Sequence, residues 1–377
     1  MFADDSNKQT FRSDRSTGAS PSLTRRHPDL HRLRICIQLE QRRGICFDAL
    51  LFLCLVAVFV PNMVSAADAL TFTNPVVGRG ADPWVIQWQT NYYFCQSRGD
   101  GVWVNRAARL EEIGRDNWKR VWRPPPGTAY SKQIWAPELH RLQDKWYIYV
   151  AADDGDNAHH RMYVLEGTST DPQMPFNLKG KITSPSDRWA IDGTVLQMPA
   201  GKLYFIWSGW PGTNDGIQNL YIAPMSNPWT ISGQRVCISQ PDREWEQHDF
   251  PRINEGPETL WHNGHLFIIY SASAFWDDNY CLGQLTWTGG DVLDPRSWIK
   301  KPEPVFRPSA DVFGPGHCSF VQSPDGREDW IVYHAHAGPH TRQRDVRIQR
   351  FAWNADGSPD FGTPVSAGVP LRPPAGE

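Results

Sequence analysis

Carboxylates and one histidine stand at the beginning of several strand-like segments, in the order Asp82, Asp192, Glu255 and His317. Two carboxyl groups on either side of one bond are what glycoside hydrolysis requires, because one protonates the leaving oxygen and the other activates water or attacks directly. A third carboxylate nearby raises the pKa of the acid by like-charge repulsion. These residues predict acid–base hydrolysis, provided that the fold brings them together.

The elements that must position these residues form a repeat after residue 70. Five runs of aromatic and β-branched residues, each of strand length, recur about every 54 to 64 residues. Matching positions in the five runs are Tyr93, Tyr147, Tyr204, Phe267 and Ile331. Each run follows a turn and a preceding strand-like segment, and no segment shows a long helical period. The pattern predicts an all-β, five-bladed β-propeller in which each blade is a four-stranded sheet.

In a propeller the first strand of each blade lines a central channel, so the residues that open these strands face a common axis. Asp82, Asp192 and Glu255 are expected at equivalent positions in three blades, and His317 at that position in the fifth. For a single acid, capping a strand or pairing with an arginine or amide is the better explanation. For three matched acids a shared site is the better one, because carboxylates crowded into a water-poor channel repel one another and lose hydration.

Composition divides the chain into a leader, residues 1–66, and a propeller domain, residues 67–377. Arg42 and Arg43 precede an apolar run over about residues 49–60, and the small residues Val64 and Ala66 follow it. This arrangement is typical of a secretory signal cleaved after Ala66, and it predicts a secreted or periplasmic protein without a stable membrane span. An uncleaved anchor is the alternative, although about 20 apolar residues are needed to cross a bilayer.

Overall composition excludes some functions and leaves others open. The formal net charge of −3 does not fit the basic surface of a nucleic-acid-binding protein. The 18 tryptophans are enough to fill a core and still supply a binding surface. Four cysteines follow the leader, Cys95, Cys237, Cys281 and Cys318, and their spacing matches no metal-binding motif. They could form one disulfide or be buried free thiols, and the sequence does not decide between these.

Five short motifs occur in order along the chain, at residues 81–85, 134–139, 189–195, 254–258 and 314–319. Through them the chain from Asn74 to Pro370 resembles glycoside hydrolase family 43. Members of that family are five-bladed propellers that act on arabinose- and xylose-containing glycans. The resemblance therefore implies a polysaccharide or oligosaccharide substrate of plant type.

The resemblance also implies a role for each carboxylate. Asp82 is expected to be the general base, Glu255 the general acid, and Asp192 the residue that tunes and orients Glu255. Members of the family invert the anomeric centre, which implies that the base and acid carboxyls lie about 6.5–9.5 Å apart and leave room for water. This chemistry requires no cofactor.

Further contacts are implied in the same way. His317 is expected at the propeller axis, where the family holds a structural calcium ion or a water cluster, and it is also a candidate for substrate binding. Because calcium favours oxygen ligands, a channel histidine bonded to water or a carboxylate is the alternative. Arg347 is expected to reach the sugar, or else to form charge pairs on a surface strand. Trp135 is expected to stack on the sugar, and Trp84 and Trp210 are further candidates.

Residues 254–258, 270–273 and 351–362 are similar to the arabinofuranosidase branch of the family. About 40 residues follow the fifth blade, too few for the additional β-sandwich that β-xylosidases of the family often carry. We therefore expect an α-L-arabinofuranosidase acting on arabinan or arabinoxylan. A β-xylosidase and an endo-arabinanase are alternatives on the same fold. A catalytically silent glycan-binding propeller and a protein-interaction propeller are alternatives of another class.

Overall fold

Five blades follow one another along residues 70–377, the part of the chain that the computed structural model describes. The predicted leader, with its apolar core and cleavage site, lies outside the described residues. Among the residues described, no helix is long and apolar enough to cross a membrane.

Each blade is an antiparallel meander, and the first strands of the blades contact one another around the axis. Blade 1 contains the strands Trp84–Trp88, Asn91–Ser97, Val102–Ala107 and Trp118–Trp122. Blade 2 contains Lys132–Leu142, Lys145–Asp153, Arg161–Gly167 and Phe176–Ile182. Blade 3 contains Ala190–Gln197, Leu203–Gly209 and Ile217–Asn227, with Thr230–Ile231 and Val236–Ser239 both paired to the third of these. Blade 4 contains Arg252–His262, His265–Ala272, Cys281–Trp287 and Trp298–Lys300. Blade 5 contains Gly316–Gln322, Asp329–His336, Arg344–Trp353 and Pro359–Asp360.

The helices of residues 70–377 are four short 3₁₀ helices, Leu110–Glu112, Asn157–His159, Glu244–Glu246 and Pro295–Ser297.

The two ends of the described chain meet at blade 5. Strand Phe72–Thr73 pairs with Pro370–Leu371. The side chain of Asn74 donates to the carbonyl of Ile348 at 2.8 Å and accepts from its N–H at 3.0 Å, as another strand would. The N-terminal segment therefore ties the beginning of the propeller to the third strand of its last blade.

Apolar side chains fill the interfaces between neighbouring blades, with one cluster at each of the five interfaces. Between blades 2 and 3 the rings of Tyr149 and Phe205 lie 5.4 Å apart. Between blades 4 and 5 the ring of Phe306 meets that of Tyr333 edge-on at 4.9 Å. Both faces of a blade are thus covered, which explains why the strand runs are almost continuously apolar. The predicted five-bladed propeller is confirmed.

Every blade opens with one residue in the left-handed backbone region, which residues other than glycine rarely adopt. These residues are Asp82, Ala136, Asp192, Gly256 and His317, with φ of 49°, 40°, 51°, 51° and 45°. The strand register shifts at the same place, between Ile191 and Thr194 in blade 3 and between Glu255 and Glu258 in blade 4. Gly256, not Glu255, is therefore the equivalent of Asp192, and the sequence-based alignment of Glu255 was wrong by one residue.

Candidate active site

The opening ends of the blades surround a pocket of about 360 Å³. Asp82, Asp192 and Glu255 all line it, together with His317. Asp192 and Glu255 are buried, with only 4% and 6% of their surface exposed. The Nδ1 atom of His317 lies 3.3 Å from Oδ1 of Asp82 and 4.0 Å from Oδ2 of Asp192, so that one imidazole links acids from two blades. The structure thus brings the three predicted carboxylates to one pocket.

Asp82 is surrounded by basic groups. Burial by itself raises its pKa, but the guanidinium of Arg344, followed by His317 and His334, outweighs burial and holds the pKa of Asp82 well below its ordinary value. The Nη1 atom of Arg344 lies 2.8 Å from Oδ1 of Asp82, and Nδ1 of His334 lies 3.4 Å from the same oxygen. Asp82 is therefore an ionised carboxylate that can accept a proton from water.

Glu255 has the opposite environment. Burial raises its pKa to about 7, and the charge of Asp82 acts in the same direction, against smaller opposing effects of Tyr280 and Arg344. The hydroxyl of Tyr280 donates to Oε1 of Glu255 at 2.8 Å. Because Oε1 already accepts this bond, the proton of the neutral acid is directed to Oε2. Glu255 therefore holds an acidic proton near neutral pH, in a fixed orientation.

Asp192 is buried in the same pocket, and its pKa responds to the charges of both other acids. Its burial, the charge of Glu255 and the charge of Asp82 all raise its pKa well above the ordinary value. Oδ2 of Asp192 accepts the N–H of Gly256 at 3.1 Å, which attaches the side chain to the residue next to Glu255. One ionised and two proton-retaining carboxyls in one pocket form an arrangement suited to acid–base cleavage of a glycosidic bond.

The family model for glycosyl hydrolases family 43 matches residues 72–359, which is most of the described chain. The chain belongs to this family. Membership agrees with the resemblance found in the sequence motifs and with the five-bladed fold.

Individual relatives of this family-43 chain include two curated proteins. An extracellular exo-α-(1→5)-L-arabinofuranosidase of Streptomyces avermitilis is 37% identical over 81% of the chain, and an α-L-arabinofuranosidase of Humicola insolens is 35% identical over 84%. The matches span 66% and 69% of those proteins, so the chain spans about two thirds of their length. The crystal structure of an α-L-arabinofuranosidase from Lactobacillus brevis has a TM-score of 0.73 and 38% identity, over 79% of this chain and 98% of that one.

Of the predicted tryptophans, only Trp135 lines the pocket of the family-43 chain. Its ring stacks on that of His160 with the ring centres 4.0 Å apart, and its contact with a sugar stays a prediction. Trp84 does not line the pocket. Its indole N–H donates instead to the carbonyl of Leu139 in the next blade, at 2.8 Å. Trp210 is also outside the pocket lining: it is 3% exposed and lies beneath Trp189, with the two rings 4.8 Å apart and nearly parallel.

The predicted sugar-binding role of Arg347 does not fit its position. Its guanidinium is buried and forms two bonds with Asp345, at 2.7 and 3.1 Å, outside the pocket lining. Arg344, the first residue of the same strand, lines the pocket and holds Asp82. Alternation places these two arginines on opposite faces of the strand but does not tell which of them reaches the pocket. The position of Arg344 at the beginning of the strand, the end nearest the pocket, could have done so.

Sequence reasoning also missed the residues of the loop between the second and third strands of blade 4. Phe275 and Trp276 line the pocket from this loop, and Tyr280 ends it. The guanidinium of Arg344 lies 4.2 Å from the centre of the Phe275 ring. The indole of Trp276 donates to Asp249 at 2.5 Å, which fixes its plane. In the sequence these two residues could be recognised only as a pair of aromatic side chains in a loop, a place where packing of the core does not explain them.

A calcium site at the axis was implied only by the resemblance. His317 faces Asp82 and Asp192, and burial lowers its pKa, which favours the neutral imidazole. In residues 70–377 no group of three or more histidine, cysteine or acidic side chains has the arrangement of a metal site. Calcium is therefore still a prediction, and no catalytic step below depends on it. The four cysteines of this part are free thiols.

Proposed function

We propose that the protein is an inverting α-L-arabinofuranosidase that removes arabinofuranosyl residues from arabinan or arabinoxylan. The observation that carries this proposal is the pairing of an ionised Asp82 with a protonated Glu255 in one pocket. The names of the relatives supply the choice of sugar, since those we report above are arabinofuranosidases.

In the proposed reaction Asp82 accepts a proton from a water molecule, whose oxygen attacks the anomeric carbon. At the same time Glu255 gives the proton on Oε2 to the glycosidic oxygen, and the bond from that oxygen to the anomeric carbon breaks. Arg344 keeps Asp82 ionised and in place before the reaction. Asp192 orients the segment that carries Glu255 through its bond to the N–H of Gly256, and the charge of Glu255 keeps Asp192 protonated, because two neighbouring carboxyls in a buried site do not readily ionise together.

The walls of the pocket support a sugar substrate. Trp135, Trp189, Phe275 and Trp276 line it as aromatic surfaces, while the carboxylates lie at its base. Aromatic rings pack against the C–H faces of sugars, and a few polar groups among them fix the orientation of the ligand. An endo-acting enzyme and an exo-acting enzyme would both fit this lining, and the relatives' names favour exo action.

Export from the cell is part of the proposal. Two of the relatives are named as extracellular enzymes. The apolar core of about residues 49–60, with basic residues before it and small residues after it, supports cleavage of a leader. N-terminal sequencing of the protein recovered from culture medium, with Ala67 as the expected first residue, tests this part.

The decisive assay compares p-nitrophenyl α-L-arabinofuranoside with p-nitrophenyl β-D-xyloside and with linear and branched arabinan. We expect arabinose from the first substrate and from arabinan, with the inverted anomer seen first by NMR. Preferential release of xylose would instead assign a β-xylosidase, and release of long oligosaccharides from linear arabinan an endo-arabinanase. Binding of arabinan without any sugar release would contradict an enzymatic function.

A further inference from the structure

A second cleft, of about 560 Å³, adjoins the active-site pocket. Four arginines line it, namely Arg79, Arg98, Arg342 and Arg344, and its lining contains no aspartate or glutamate among the described residues. This concentration of positive charge contrasts with the net charge of −3 for the whole chain. Arg344 is paired with Asp82, which leaves three further guanidinium groups and no carboxylate in the lining of the cleft.

The cleft lies beside the pocket, as two contacts show. Arg344 lines both cavities, since its guanidinium reaches Asp82. The guanidinium of Arg342 lies 5.6 Å from the ring of Trp276, which forms a wall of the pocket. A chain molecule with one residue in the pocket can therefore place a neighbouring part in the cleft.

Three of these arginines have no acidic partner of their own. In residues 70–377 no ion pair involves Arg79, Arg98 or Arg342, while the nearby Asp100 is paired with Arg120. The guanidinium carbon of Arg98 lies over two aromatic rings, 4.2 Å from the centre of Trp118 and 5.9 Å from that of Trp103. Contact with the ring faces restrains this long side chain and forms no hydrogen bond, so its N–H donors stay available to a ligand.

We propose that this cleft binds the carboxylate of a uronic acid residue in the polysaccharide that carries the arabinose. The guanidinium fork matches a carboxylate with two parallel hydrogen bonds, and a neutral glycan would gain little from three unpaired positive charges. The saccharide nature of the ligand rests on the proposed glycosidase function, because it follows from the connection to that pocket. The acidic nature of the ligand rests on the arginines alone.

Calorimetric titration with trigalacturonate and with its fully methyl-esterified form tests the proposal, because the two probes differ in charge but share a backbone. The wild-type protein is expected to bind the acid at least about tenfold more tightly than the ester, and more weakly as salt is added. The double variant Arg79→Gln/Arg98→Gln should lose this preference. Arg350→Gln, which removes an exposed arginine of the same charge outside the cleft, should retain it.

Equal binding of acid and ester, or an unchanged preference in the double variant, would overturn the proposal. So would equally tight binding of inorganic phosphate, which would indicate a general anion site. Arabinose release from a neutral arabino-oligosaccharide is measured in parallel and should stay within about twofold in the double variant, whose replaced side chains lie outside the pocket. If no arabinose is released by any variant the proposed function fails, while the titration still decides whether the cleft prefers an acidic sugar.

Discussion

At the scale of single residues, two carboxyls in one pocket differ because their neighbours differ. Burial raises the pKa of both Asp82 and Glu255. Asp82 has a guanidinium at 2.8 Å, which reverses this effect, whereas the group bonded to Glu255 is a neutral hydroxyl. Environments that separate two pKa values in this way assign the acid and the base of a reaction.

Tyr280→Phe tests how the acid is tuned. The hydroxyl of Tyr280 lowers the pKa of Glu255, which is about 7, so its removal should raise that pKa. A general acid works only while protonated, and the alkaline limb of kcat/KM should therefore move to higher pH while the acidic limb stays in place. Tyr333→Phe, which removes a buried hydroxyl bonded to Gln349, is the matched control and should leave both limbs unchanged. An unshifted alkaline limb in Tyr280→Phe would separate Tyr280 from the acid.

Arg344→Gln tests how the base is kept ionised. Arg344 lowers the pKa of both Asp82 and Glu255, so its loss should move the acidic and alkaline limbs of kcat/KM to higher pH together. We expect kcat to fall by about 10²-fold near neutral pH, because the base also loses its orientation. Arg350→Gln, on the same strand but exposed, serves as the control. A profile that stays in place would show that Arg344 does not set the charge of Asp82.

At the scale of elements, the loop of residues 273–280 is held by the neighbouring blade. His336 belongs to the second strand of blade 5. Its Nε2 atom lies 2.7 Å from the carbonyl oxygen of Phe275, and its Nδ1 atom lies 2.9 Å from Oδ1 of Asp278. The Phe275 ring in turn supports Arg344. The wall of the pocket therefore depends on a contact between two blades as well as on its own loop.

His336→Ala should weaken this contact and loosen the loop that carries Phe275 and Trp276. Because the loop forms a substrate-binding wall, we expect KM to rise by about five- to tenfold with a smaller change in kcat. His265→Ala, at the exposed first residue of the second strand of blade 4, provides the comparison. A fall in melting temperature with unchanged KM would assign His336 a purely structural role.

The propeller could be predicted from the sequence because each blade repeats one pattern of apolar strands. Every blade packs against two neighbouring blades, so the same pattern suits each of them. The proximity of Asp82 and Asp192 could also be predicted, since both residues stand at the beginning of the first strand of a blade. The exact position of Glu255 within its blade was beyond such reasoning, because the register shift at Gly256 depends on backbone conformation.

Residues outside the repeat could not be found in this way. Tyr280 and Phe275 belong to a loop, which has no period, and the contact of His336 with the carbonyl of Phe275 comes from another blade. Arg347 and Arg344 are three positions apart on one strand and therefore lie on opposite faces, and the sequence does not tell which face and which end of that strand meet Asp82.

At the scale of the whole molecule, the channel below the pocket carries a further pair of acids, Glu138 and Glu258. Both are buried, in first strands of different blades, and His140 contacts Glu138 at 2.8 Å. Burial, followed by the charge and hydrogen bonding of Glu138, raises the pKa of Glu258 well above its ordinary value of 4.5. The folded protein therefore keeps a proton at this pair that the unfolded chain releases.

Glu258→Gln should reduce the pH dependence of stability. Above pH 4.5 the folded state binds more protons at Glu258 than the unfolded chain, so the free energy of unfolding falls as pH rises. A glutamine amide can donate to Glu138 without a proton being taken up. We expect the fall in melting temperature between about pH 5 and 8 to be about 3 °C smaller in the variant, whereas exposed Glu303→Gln should behave as wild type. Parallel curves for all three proteins would contradict a shared proton.

The most direct test of the central claim compares leaving groups in Glu255→Gln and Asp82→Asn. An acid catalyst matters only when the leaving oxygen needs a proton, whereas the base is needed for attack by water on any substrate. Glu255→Gln should therefore lose about 10³-fold in kcat/KM on arabinobiose but less than about tenfold on 2,4-dinitrophenyl arabinofuranoside, while Asp82→Asn loses activity on both. Equal losses on the two substrates in Glu255→Gln, or near wild-type activity in Asp82→Asn, would contradict the assigned roles.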